Sequence, residues 1–301
     1  MKVQLGIDLG GTKIEIIALD GNGQTLLRRR VATPVGDYQA TLATIKDLVL
    51  RADAELGARC PVGFGTPGSA SLVDGRMRNC NSTCLNGQHL HDDLAQLLDR
   101  SVAIANDANC FALSEAADGA GAGAKTVFGV IIGTGAGAGI VIDGKLLEGA
   151  NRVAGEWGHN PLPWPRDEER PGLVCYCGKS GCVETFISGP GLKLDHRIIT
   201  QQVLEPYEIV SLANSGDSAC VATMQRYEDR LARALAHVIN IVDPEVIVLG
   251  GGMSNIERLY DNVPPLWPRY VFSDVVLTKL CRNAHGDSSG VRGAARLALE
   301  T

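Results

Sequence analysis

Four residues between positions 159 and 182 have the types and spacing of a zinc site: His159, Cys175, Cys177 and Cys182. Three thiolates and one imidazole complete a tetrahedral donor set. That marks a structural zinc rather than a catalytic one, because no position is left for water or substrate. Cysteines are often simply buried in a core. Here, however, Cys-x-Cys overlaps Cys-Gly-x-x-Gly-Cys between Cys175 and Cys182, which demands a tight knuckle, and Gly178 and Gly181 stand where the chain must turn. Glu156 and Glu184 flank the ligands. A metal that pins His159 and the knuckle also fixes both carboxylates, so the segment reads as a metal-braced polar site.

Three glycine-rich turns suggest a second chemistry. In Asp8-Leu9-Gly10-Gly11-Thr12-Lys13 the glycine N–H groups can face a phosphate. Thr12 adds a hydroxyl, Lys13 a charge, and Asp8 can hold Mg²⁺ through water. The lysine is wrongly spaced for a Walker loop. The second turn, Gly133-Thr134-Gly135-Ala136-Gly137-Ala138-Gly139, runs on into Ile140-Val141-Ile142 as strand. A dinucleotide fingerprint would open a helix there instead. The third, Gly250-Gly251-Gly252, follows the apolar run Val246–Leu249, precedes a helix expected near Ile256–Tyr260, and suits close approach of an adenosine group. Any one of these is an ordinary hairpin turn; three at the ends of buried strands indicate a nucleotide.

The elements that carry these turns repeat. At an offset of 123 residues, Gly6, Gly10, Asp20 and Gly21 fall on Gly129, Gly133, Asp143 and Gly144. Each copy reads strand, Gly/Thr turn, strand, Asp-Gly turn, so a duplicated domain is expected. Helices are expected over Tyr38–Leu56, His91–Asp99 and 108–117, through much of 190–242, and over Gly290–Leu299. Strands are expected at Val62–Phe64 and Val102–Ala105. Alternating strands and helices indicate an α/β architecture. The expected division is a smaller domain, 1–107 plus 289–301, and a larger one, 108–288, with a hinge at 107.

Composition sets outer limits. A chain of 301 residues has room for two domains. Its net charge of −6 argues against a nucleic-acid partner, and Arg28-Arg29-Arg30 reads as a solvated strand end. No apolar run approaches a membrane span. The start reads directly as a strand without a secretory signal, so the nine cysteines are expected to be reduced thiols or metal ligands in a cytoplasmic protein.

Together the Asp8–Lys13 turn, the Gly133–Gly139 turn, Gly155-Glu156-x-Gly158-His159 and the Cys175–Glu184 knuckle resemble the ROK family of bacterial sugar kinases and sugar-responsive repressors, over nearly the whole chain. The resemblance implies the duplicated ribonuclease-H-like, two-domain fold of the actin, hexokinase and Hsp70 group, with an active-site cleft between the domains. The repressors carry an added N-terminal DNA-binding domain. Here the first turn begins at residue 8, which favours an enzyme. Asn79–Gly87, Ala154–Trp164 and Phe186–Gly189 resemble the bacterial manno(fructo)kinase type, and 106–115 and 241–254 the N-acetylglucosamine kinases.

The resemblance implies an ATP- and Mg²⁺-dependent phosphorylation of a hexose 6-hydroxyl. Fructose is the leading substrate, with mannose and glucose beside it. The alternatives are an N-acetylglucosamine kinase and a non-catalytic sugar sensor. Asp107 is the implied base. Ser69, Asn81, Asn106, Glu156, His159 and Glu184 are implied to contact the sugar, with His159 offering it the ring nitrogen that zinc leaves free. Asp8, Gly10, Gly11, Thr12, Lys13, Gly133, Thr134, Gly135, Gly137 and Gly250–Gly252 are the implied ATP contacts. A bulky Trp157 beside Glu156 is expected to fill the space an N-acetyl group needs. A homodimer is expected.

Overall fold

Short apolar runs separated by turns build the first sheet. The computed structural model describes residues 3–299. Met1 and Lys2, expected to lead into the first strand, and Glu300 and Thr301, assigned to the smaller domain, lie outside the described residues. Strands β1 (Gln4–Leu9), β2 (Lys13–Leu19) and β3 (Thr25–Ala32) form an antiparallel meander. After α1 (Tyr38–Leu56), β4 (Val62–Thr66) adds parallel to β1. A small hairpin, β5 (Ser69–Ala70) and β6 (Met77–Arg78), and helix α2 (Leu90–Leu98) follow. Then β7 (Val102–Asn106) adds parallel to β4, and α3 (Asp107–Asp118) begins. The order across the sheet is β3-β2-β1-β4-β7.

The second sheet repeats this plan. Strands β8 (Thr126–Ile132), β9 (Ala136–Ile142) and β10 (Lys145–Leu146) run antiparallel. The zinc-type segment and helices α4 (Val183–Ile187), α5 (Gly189–Thr200), α6 (Pro206–Asn214) and α7 (Ser218–Val242) intervene. β11 (Val246–Gly250), α8 (Arg258–Asn262) and β12 (Lys279–Arg282) complete it, with β11 parallel to both β8 and β12. The order is β10-β9-β8-β11-β12. Two antiparallel pairings followed by two parallel ones recur in both sheets, which is the duplication expected from the 123-residue offset. Added to the bounds of β2, that offset gives those of β9.

The last helix, α9 (Ser289–Leu297), packs on β1, β4 and α3. The chain divides into two compact units, Met1–Gly119 with Asp287–Thr301, and Ala120–Gly286. The break therefore lies after Gly119, not after residue 107. The reason is packing: α3 lies so close to α9 that a Cβ on Gly293 would meet the Cys110 carbonyl oxygen at 1.7 Å. A helix seated that tightly belongs to the first unit.

Charges inside the units are paired. Glu15, only 1% exposed, accepts from Arg28 at 2.5 Å and Arg30 at 2.6 Å on the neighbouring strand. So Arg28 and Arg30 are structural partners of a buried carboxylate, not merely a solvated cluster. In the second unit Glu169 accepts from Arg230 at 2.8 Å and Arg233 at 2.7 Å, both on α7. Burial alone would raise the Glu169 carboxyl, but the hydrogen bonds of Arg233 and Arg230 and the Arg166 N–H bring it down to about 2.

Candidate functional site

The zinc-type residues converge. The chain makes a single 3₁₀ turn at Trp157–His159, and two isolated bridges, Pro161 to Cys182 and Val174 to Ser180, fold the knuckle back on it. Gly178 and Gly181 both take positive φ, as the spacing requires. The donor atoms of His159, Cys175, Cys177 and Cys182 all lie within 4.8 Å of one another. His159 Nδ1 is 3.5 Å from Cys175 Sγ, and Cys177 Sγ is 3.6 Å from Cys182 Sγ. Ligands about 2.0–2.3 Å from a tetrahedral zinc sit roughly 3.5–3.8 Å apart, so the four residues fit the ion. Burial pushes the Cys182 thiol up to about 12, while the Lys179 N–H holds exposed Cys177 down. A bound dication would make both thiolates.

One zinc per chain is therefore expected by elemental analysis of protein purified without added metal. Cys182→Ser should lose the metal and lower Tm by roughly 5 °C or more, the equivalent of a few kcal/mol in a domain this size. Wild-type protein with well under one zinc per chain would contradict the assignment.

Around this knuckle the second unit assembles most of its expected site. Glu184 Oε accepts from the Ala136 N–H at 2.8 Å, which ties the knuckle to the Gly133–Gly135 turn. Gly133 N–H bonds Gly135 O at 2.9 Å, and Gly189 N–H bonds Gly133 O at 2.8 Å. Thr134 is exposed between them. Gly250 is the last residue of β11, paired to Ile131, and Gly251 sits against the end of β8. At φ 78° a Cβ on Gly251 would lie 2.4 Å from Ile132 O, so only glycine lets the two turns meet. Gly252 follows, opening a short 3₁₀ segment. Gly137 departs from expectation. β9 starts at Ala136, and Gly137 is a strand residue paired to Ile131, because the hairpin closes at Gly135.

Glu156 is exposed at the head of the 157–159 turn. Trp157 is not beside it in the way expected. Its ring is 6% exposed and packs edge to face on Phe128 at 5.6 Å, inside the core. Its ring therefore belongs to the core packing and does not stand free beside exposed Glu156. His159 also differs: its Nε2, expected to be free, lies 3.0 Å from the Tyr176 hydroxyl.

In the first unit, the Gly10 N–H bonds Lys13 O at 3.0 Å and leaves Gly11 and Thr12 exposed. Ser82 Oγ lies 3.4 Å from where a Gly11 Cβ would be, and it is buried without a partner. So the Asn79–Gly87 loop, which holds exposed Asn81, reaches the phosphate-type turn rather than standing apart from it. Ser69 pairs with Arg78 in the small hairpin.

Asn106 is the N-cap of α3: its Oδ1 accepts from Asn109 N–H at 2.7 Å. Asp107 is the first helical residue, and its Oδ1 accepts from Ala108 N–H at 2.8 Å. The residue is solvent-exposed, yet surrounding protein still raises its carboxyl pKa, against the pull of that N–H. Asp8 rises to about 6, by burial first and then by the charges of Asp107 and Glu15, with Lys13 and Arg30 opposing. A carboxylate raised by burial and by a neighbouring carboxylate is relieved by a cation, so Asp8 fits the role of a Mg²⁺ partner.

Sequence reasoning missed Tyr176 and Ser82. Both lie in segments singled out for other residues, and only their partners in space reveal them.

Comparison with known proteins fits this geometry. The model of the ROK family matches residues 4–301. The chain belongs to the ROK family. An N-acetyl-D-glucosamine kinase of Yersinia enterocolitica is 40% identical over 298 residues, 98% of each chain. Among solved structures, the ROK hexokinase from Thermus thermophilus superposes with a TM-score of 0.88 at 29% identity, covering 99% of this chain and 98% of the other. A ROK glucokinase from Streptomyces griseus, in complex with glucose and AMPPNP, gives 0.76 at 28%, covering 99% and 100%. The fold is the hexokinase-like, duplicated ribonuclease-H-like α/β architecture, and this ROK protein is a sugar kinase. The fructokinase expectation is not supported: the relative at 40% identity is an N-acetyl-D-glucosamine kinase. No helix among the described residues is long and apolar enough to cross a membrane.

Proposed function

We propose that the protein is an ATP-dependent kinase that phosphorylates the 6-hydroxyl of N-acetyl-D-glucosamine. The observation that carries this reading is the 40% identity to an N-acetyl-D-glucosamine kinase over 98% of both chains.

Asp107 acts as general base. It takes the proton of the sugar O6 as that oxygen bonds to the γ-phosphorus, while the bond from γ-phosphorus to the bridging oxygen breaks and ADP leaves. Asn106 keeps its amide NH₂ for a sugar hydroxyl, because Oδ1 is held by the helix. Glu156, Glu184 and His159 hold further hydroxyls, with Ser69 of β5 and Asn81 of the 79–87 loop beside them in the sugar set. Glu184 keeps its second oxygen for this, the first being bonded to Ala136. Gly10, Gly11, Thr12, Gly133, Thr134 and Gly135 present N–H and hydroxyl groups to phosphate, Lys13 adds its charge, and Gly250–Gly252 accept the adenosine side. Asp8 would hold Mg²⁺, which would neutralise charge on the phosphates, and His159, Cys175, Cys177 and Cys182 would hold the zinc that braces the knuckle. A homodimer in the cytoplasm completes the proposal.

Coupled measurement of ADP release over a panel of hexoses and N-acetylhexosamines tests it. N-acetyl-D-glucosamine is expected to give the highest kcat/KM. The resemblance of Asn79–Gly87 to the manno(fructo)kinase type keeps fructose and mannose in the panel, and no turnover with any sugar would indicate a sensor.

A further inference from the structure

The second ring nitrogen of His159 already has a partner. Nδ1 faces the Cys175 thiol at 3.5 Å, Nε2 lies 3.0 Å from Tyr176 Oη, and the two rings meet edge to face at 5.1 Å. With Nδ1 given to a metal, a neutral imidazole carries its proton on Nε2, so Nε2–H donates and Tyr176 accepts. A metal-bound histidine ordinarily gives this N–H to a fixed acceptor. Here the acceptor belongs to a residue that is 82% exposed, between two ligands of a glycine-hinged knuckle. An alcohol oxygen bonded to His159 Nε2 stands where a sugar hydroxyl held by that nitrogen would be.

We propose that Tyr176 gates the sugar site: its hydroxyl occupies the His159 Nε2–H that a sugar hydroxyl takes, and the sugar binds once the tyrosine has turned away. The inference rests on the reading that His159 and its flanking glutamates hold the sugar. Rotation of an exposed side chain takes ps–ns, so the gate lowers affinity through the fraction of molecules that are closed and does not limit the rate.

Calorimetric titration of N-acetyl-D-glucosamine, without ATP, into wild type and Tyr176→Phe tests it. Phenylalanine keeps the edge-to-face ring and removes the competing acceptor. The variant is expected to bind about two- to tenfold more tightly, the size of one net hydrogen bond, with KM lowered by the same factor, kcat unchanged, and zinc content and Tm as in wild type. Equal or weaker binding by the variant, while wild type binds the sugar, overturns the gate and leaves the kinase reading intact. A fall in zinc content or Tm overturns it in favour of a bracing role. Failure of wild type to bind N-acetyl-D-glucosamine, fructose or mannose overturns the gate and the kinase reading together.

Discussion

Asp107→Asn should lower kcat by about 10²–10⁴-fold, the usual contribution of a general base, and leave the sugar Kd nearly unchanged. The amide keeps the shape and one acceptor oxygen for the Ala108 N–H. Stability should change little, because Asn106 caps α3 and Asp107 does not. Loss of its charge is no cost, because the surrounding protein already disfavours the ionised carboxylate. Steady-state kinetics and a calorimetric melt on the same variant separate the two effects. Retention of more than a tenth of the wild-type rate would remove Asp107 from the role of base.

Asp8→Asn is expected to move activity and stability in opposite directions. Loss of an aspartate that holds Mg²⁺ through water should cost roughly 10–100-fold in activity or metal affinity. The stability effect depends on pH. In the folded protein the Asp8 pKa is raised from 3.8 to about 6, so the native state binds this proton more tightly than the unfolded chain does. Stability from this group is present below about pH 4 and is lost as pH rises through about 6. Asparagine carries no charge to desolvate and does not repel Asp107. At pH 8 without Mg²⁺ the variant should be more stable than wild type by about 2–3 kcal/mol, and at pH 4 the gain should vanish. Urea melts at the two pH values check it; a gain independent of pH would remove the desolvated carboxylate as its cause. Such a trade is expected where a strained charge serves function.

The hairpins and glycine turns were legible because their signals are local. Helix α1 runs over Tyr38–Leu56, as its apolar spacing indicates, and closes with Gly57 in the left-handed conformation. The repeat survives at the level of strand bounds because both copies need the same turn between the same two strands. Gly137 was misread because glycine marks both turns and flat, close-packed strands, and only the pairing to Ile131 tells them apart. The direction of Trp157 depends on one 3₁₀ turn, which no periodicity encodes. Glu169 and its partners Arg230 and Arg233 are separated by more than a helix's length of chain, so their pairing is set by packing and invisible to spacing. The four zinc-type ligands were the most legible part of the site, because the spacing leaves little freedom in how they can meet.

The proposed action on N-acetyl-D-glucosamine is tested most directly by competition. Equal concentrations of N-acetyl-D-glucosamine and fructose are offered with limiting ATP and Mg²⁺, and the phosphorylated products are read by mass spectrometry at early time. A missing partner for the amide, or an unfilled slot for the acetyl group, is worth about 1–3 kcal/mol, or roughly 10–200-fold in kcat/KM, so one product should dominate. N-acetyl-D-glucosamine 6-phosphate is expected; a predominance of fructose 6-phosphate would overturn the proposed specificity.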